Sequence, residues 1–94
     1  MEIITRTWQG RSGITRDYIQ NLPELLGLEV TRYNTGNVHH TTINGEHISN
    51  TRATELLNLT AWYENGQLYV QGSERTLTHD EVRARIQHHE GATK

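Results

Sequence analysis

Apolar residues along the chain fall into short blocks separated by polar turn residues, and the period within each block predicts its structure. Ile3 to Trp8 is rich in β-branched and aromatic residues and reads as a strand. After the Gly10-Arg11-Ser12-Gly13 loop, Ile14, Tyr18, Ile19 and Leu22 recur at helical spacing and predict a helix over 14–22. Pro23 cannot donate to that helix and starts a short new turn through Leu26, with Gly27 at the left-handed position after it. Leu28 to Tyr33 and Val38 to Ile43 read as strands, and Glu46 to Ser49 returns from the Asn44-Gly45 pair, a strong signal for a two-residue hairpin. Ser49 or Asn50 caps a helix to about Asn58, with Ala53, Leu56 and Leu57 on its apolar stripe. A second hairpin, Thr60 to Glu64 and Gln67 to Gln71, turns at Asn65-Gly66. Thr78 and Glu81 form a capping box before a last helix from about His79 to Glu90.

The pattern predicts an α+β fold: a small antiparallel sheet of hairpins backed by two or three helices, in the order β-α-βββ-α-ββ-α. Residues 1–94 make one domain, with an end that frays from about residue 91. Glu24-Leu25-Leu26-Gly27-Leu28 leading to Tyr33 and Gly36 parallels Glu55-Leu56-Leu57-Asn58-Leu59 leading to Tyr63 and Gly66, which suggests a two-unit repeat.

Composition narrows the function classes. Only 33% of residues are hydrophobic and there is no Phe, so the core is lean and self-association would help it. The absence of cysteine excludes disulfides and thiolate metal sites. The N-terminus carries no leader pattern and no stretch approaches a membrane span, so the expected location is cytoplasmic, with no membrane partner. Net charge is −2 and each half is nearly balanced, which disfavours a large phosphate-binding term.

Candidate chemistry is sparse. His40 and His47 become diagonal neighbours on one face of the Asn44-Gly45 hairpin, a weak metal pair that lacks a third ligand unless His88, His89 or Glu90 supplies it. Arg11 and Ser12, ahead of the expected 14–22 helix, offer an anion loop, and Arg83 and Arg85 lie on the last helix. No nucleophile with a base and an orienting group is legible, and no cofactor is implied.

The hairpin at Asn65-Gly66 carries the most information. Its register pairs Tyr63 with Leu68 and Ala61 with Val70 on a core face. On the opposite face it pairs Trp62 with Tyr69 and Glu64 with Gln67. If nothing covers them, Trp62 and Tyr69 are partly exposed, and Trp62→Ala would weaken docking while leaving the fold intact. The expected function is a non-enzymatic protein-binding module, an inhibitor, adaptor or regulator of the kind found among phage and mobile-element accessory proteins, acting on a protein partner or a second copy. One alternative is a nucleic-acid-binding domain that stacks bases on Trp62 and Tyr69 and sets Arg6, Arg11, Arg16, Arg83 or Arg85 on phosphates. Another is a small metal-dependent enzyme built on the histidines.

Overall fold

The computed structural model describes residues 1–92. Strands β1 (Thr5–Gln9), β2 (Thr15–Ile19), β6 (Thr60–Glu64) and β7 (Gln67–Gln71) form an antiparallel sheet in the order β1-β2-β6-β7. Strands β3 (Val30–Thr35), β4 (Val38–Ile43) and β5 (Glu46–His47) form a second, smaller antiparallel sheet. Helices α1 (Leu22–Leu25), α2 (Asn50–Leu57) and α3 (His79–Ala92) back them. The α+β class therefore stands, as does the order from the first helix onward, although two sheets replace the single one expected.

The two Asn-Gly pairs turn as their chemistry requires. Asn44 and Gly45 have φ 54° and 85°, and Asn65 and Gly66 have φ 52° and 76°; both central positions of each two-residue loop are left-handed. Ser49 caps α2 by accepting a hydrogen bond from the Arg52 amide. Thr78 and Glu81 close the capping box of α3: the Glu81 amide donates to Thr78 Oγ1 at 3.2 Å, and Thr78 Oγ1 donates to Glu81 Oε1 at 3.1 Å. The helix continues through Gly91 to Ala92. The end expected to fray extends into residues 93 and 94, which lie outside the described residues.

The segment 14–22 is the main correction. Thr15–Ile19 is strand β2, paired along its whole length with β1 and, at Asp17 and Tyr18, with β6. The spacing of Ile14, Tyr18, Ile19 and Leu22 mimics a helical stripe. Tyr18 and Ile19 nonetheless point to opposite faces of the sheet, as successive strand residues must. Pairing with β1 and β6 supplies the backbone partners that a helix would have found internally. The Gly10–Gly13 loop is thus a strand-to-strand turn, closed by the Gly10 amide donating to the Ile14 carbonyl at 2.8 Å.

The core lies on one face of the four-stranded sheet. Ile19, Ala61 and Val70 from the strands meet Leu22 and Leu25 of α1, Leu56 of α2, and Val82 and Ile86 of α3. Tyr63 and Leu68 pack against this cluster, as the register of the second hairpin requires. Arg85 and His89 of α3 fasten α1 to it by hydrogen bonds to the Leu26 and Leu25 carbonyls at 2.7 and 3.0 Å. Gly72 packs so closely on Leu59 that a Cβ there would meet the Leu59 backbone at 3.1 Å, at a φ of 134° that only glycine adopts readily. The two parts of the suggested repeat both run helix to hairpin. Their tyrosines diverge: Tyr63 faces the core, whereas Tyr33 is exposed on the second sheet.

Candidate functional site: the open face of the four-stranded sheet

All three helices send side chains into the core on one face of this sheet, so the chemistry of the opposite face comes from the strands alone. Strand alternation and register bring Trp8 of β1, Tyr18 of β2, Trp62 of β6 and Tyr69 of β7 to that face, one aromatic ring from each strand. Trp8 meets Tyr18 edge to face at 6.4 Å, Tyr18 tilts against Trp62 at 5.6 Å, and Trp62 stacks on Tyr69 at 5.8 Å with an interplanar angle of 17°.

Arg16 binds the row together. Its guanidinium lies 4.8 Å from the Trp62 ring centroid and 5.7 Å from that of Trp8. It donates to the Tyr18 hydroxyl at 3.1 Å and to Glu64 Oε1 at 2.8 Å. The Tyr18 hydrogen bond, and then that to Glu64, hold its pKa above the ordinary value, so it stays charged. Across the strand pair from Glu64 stands Gln67, whose Oε1 accepts from the Tyr69 hydroxyl at 3.1 Å.

This geometry divides the expectation for Trp62 and Tyr69. They lie on the predicted face, paired as predicted, and Tyr69 is 38% exposed. Trp62 is only 9% exposed. Arg16, Tyr18 and Tyr69 enclose it, and its Nε1 has no hydrogen-bond partner among the described residues. The covering residues on β2 sit in the segment whose period suggests a helix, so the enclosure was hidden from sequence reasoning. The exposed parts of the row are at its ends, Tyr69 and the 48% exposed Trp8, with Arg6 beside Trp8 on the same face of β1.

The other predicted site residues do not join this face. Arg11 and Ser12 are exposed in the β1–β2 turn, with no helix N-terminus behind them. Arg83 pairs with Asp80 at 3.0 Å and reaches the Leu68 carbonyl at 3.4 Å, while Arg85 is bound to the Leu26 carbonyl. His40 and His47 share a face of the second sheet, their ring centroids 5.7 Å apart, as predicted. Their third neighbour is Tyr33, stacked on His40 at 4.8 Å and hydrogen-bonded to His47 at 3.3 Å. His89 is held at the Leu25 carbonyl instead. Among the described residues no three His, Asp or Glu side chains gather to hold a metal.

Comparison with protein-family models, with curated proteins and with solved structures finds no match. Among the described residues no helix is long and apolar enough to cross a membrane.

Proposed function

We propose that this chain is a non-enzymatic protein-binding module, an inhibitor, adaptor or regulator, which docks its partner on the open face of the four-stranded sheet. The observation that carries the reading is the aromatic row with its central arginine, left uncovered by the helices. Trp, Tyr and Arg dominate binding energy at protein interfaces because they combine large apolar area with polar handles. Trp62 acts as a rigid floor, held by Tyr69 on one side and Arg16 on the other, and Trp8, Tyr69, Glu64 and Gln67 make the contacts. Preorganisation of this kind reduces the side-chain entropy lost on docking.

The same geometry weighs against the nucleic-acid alternative. A base stacks on a free ring face. Arg16 and Tyr69 occupy those of Trp62, and the charge of Arg16 is matched by Glu64. Arg83 and Arg85 are engaged elsewhere on α3.

The test is capture of a partner from the source cell by the wild-type chain and by Trp8→Ala and Tyr69→Ala, two exposed positions whose loss spares the core. Each substitution is expected to weaken capture at least about tenfold, since a hot-spot side chain contributes about 2 kcal/mol or more. Undiminished capture by both variants refutes the reading. Retention on a single-stranded oligonucleotide at low salt that Tyr69→Ala abolishes supports the nucleic-acid alternative instead.

A further inference from the structure

The four-stranded sheet ends on one side at β1, where every residue from Thr5 to Gln9 is exposed. Its backbone polarity follows from the hairpin. The Gln20 amide donates to the Ile4 carbonyl at 2.7 Å and the Gly10 amide to the Ile14 carbonyl at 2.8 Å. In an antiparallel ladder hydrogen-bonded and non-hydrogen-bonded pairs alternate, so the even residues Arg6 and Trp8 bond to β2. The N–H and C=O groups of Thr5, Thr7 and Gln9 therefore point outward, away from β2.

We propose that β1 pairs antiparallel with β1 of a second copy of this chain, about a two-fold axis at Thr7, to make one continuous sheet through both protomers. This register lets Thr5, Thr7 and Gln9 exchange their outward groups with Gln9, Thr7 and Thr5 of the second copy. Arg6 then falls opposite Trp8 of the second copy, and the reverse, in the non-hydrogen-bonded pairs where side chains approach most closely. A guanidinium facing an indole is an attractive pair, and the symmetry forms it twice. Arg6 has no ion pair among the described residues, so the partner for this cation is supplied across the axis.

Apolar exposure supports the same occupant. The Trp8 ring leans over Gly10, whose added Cβ would lie 2.8 Å from the ring. In this register Ile4 of the second copy stands opposite Gly10. Ile4 and Trp8, 54% and 48% exposed in the single chain, thereby partly cover each other across the axis.

The other edges fit a second copy less well. On β7, Arg83 already reaches the Leu68 carbonyl at 3.4 Å. On β3, the Asn44 amide donates to the Glu29 carbonyl, so by the same alternation Arg32 points its backbone outward. Pairing centred there sets Arg32 directly against Arg32 of the second copy, and like charges repel. Strand β1 carries neither proline nor lysine, the sole Pro being Pro23 and the sole Lys being Lys94, and its one charged side chain, Arg6, is the group that meets Trp8 across the axis. The pairing lies at the edge of the sheet and shares only Ile4, Arg6 and Trp8 with its open face, so Tyr69, Glu64 and Gln67 stay available and the inference stands whether or not they dock another protein.

The test is sedimentation of the full chain from low micromolar to near-millimolar concentration. The expected result is a mass rising toward twice the 10.8 kDa of one chain. Thr7→Pro removes an outward N–H that β2 does not use, and Thr7→Lys sets two ammonium groups together on the axis. Each should weaken the dimer at least tenfold while the circular dichroism spectrum is unchanged. If Thr7→Pro fails to fold, Thr7→Lys carries the test. Because the chain has no native cysteine, Thr7→Cys should give a disulfide-linked dimer on mild oxidation, and Arg32→Cys should not. A wild-type chain that stays monomeric throughout overturns the proposal. So does a dimer indifferent to Thr7→Lys, or one that Arg32→Cys links as readily. Loss of partner capture by Tyr69→Ala with the dimer intact separates the docking face from this edge, since Tyr69 lies on β7 at the far side of the sheet.

Discussion

Replacing Trp62 by alanine removes the side chain enclosed by Arg16, Tyr18 and Tyr69, and the expected outcome is loss of stability rather than a clean loss of binding. A tryptophan buries about 200 Å². At about 25 cal/mol per Å² that is about 5 kcal/mol of transfer free energy, an upper figure because the unfolded chain already hides part of this surface. With Trp62 at 9% exposure nearly all of that area is engaged. Arg16 and Tyr69 stand on an open sheet face and relax into the space, so the cost falls near the lower end of the range for Trp→Ala, about 3 kcal/mol. Urea unfolding followed by circular dichroism measures it. With a slope of about 1–1.5 kcal/mol per molar for so short a chain, the midpoint should drop by about 2 M or more. Trp62→Phe makes the companion variant. It keeps a ring between Arg16 and Tyr69 and removes the Nε1 donor that has no acceptor. Burying such a donor costs about 1–3 kcal/mol, so its removal offsets much of the lost area and the net change should stay within about 1 kcal/mol. A Trp62→Ala chain within about 0.5 kcal/mol of wild type, or a Trp62→Phe chain as damaged as the alanine variant, would refute this reasoning.

Two further outcomes are expected. Thr78→Ala opens the capping box of α3 and should cost about 0.5–2 kcal/mol; an unchanged thermal midpoint would show that the cap contributes nothing. Burial, and then the hydrogen bond to Glu90, raise the pKa of the Tyr63 hydroxyl above the ordinary value of 10.0. The fold therefore favours the neutral phenol. That contribution is complete below pH 10 and declines as pH rises beyond it, because the unfolded chain ionises first. Wild-type stability should thus fall more steeply above pH 10 than that of Tyr63→Phe, and parallel profiles would remove Tyr63 from the account.

Local chemistry wrote much of this protein directly into its sequence. Asn44-Gly45 and Asn65-Gly66 accept left-handed backbone at both central positions, which few other pairs do, so each turn and its register followed from two residues. From that register came the division of Tyr63 and Leu68 from Trp62 and Tyr69, and of His40 and His47 from His39. The caps at Ser49 and Thr78 are equally local, because each needs only a side chain within reach of an amide a few residues on. Tertiary pairing decided what lies beyond that reach. Residues 14–22 carry a spacing compatible with a helical stripe, and the choice of strand depends on hydrogen bonds from β1 and β6, the latter more than forty residues away. With that strand in place, Tyr18 and Arg16 close over Trp62, an exposed-looking cross-strand pair becomes an enclosed floor, and Trp8 joins the row. The same event leaves β1 as the outer strand. Which aromatic is buried and which edge is free were settled by non-local backbone pairing, which side-chain periodicity within one segment does not encode.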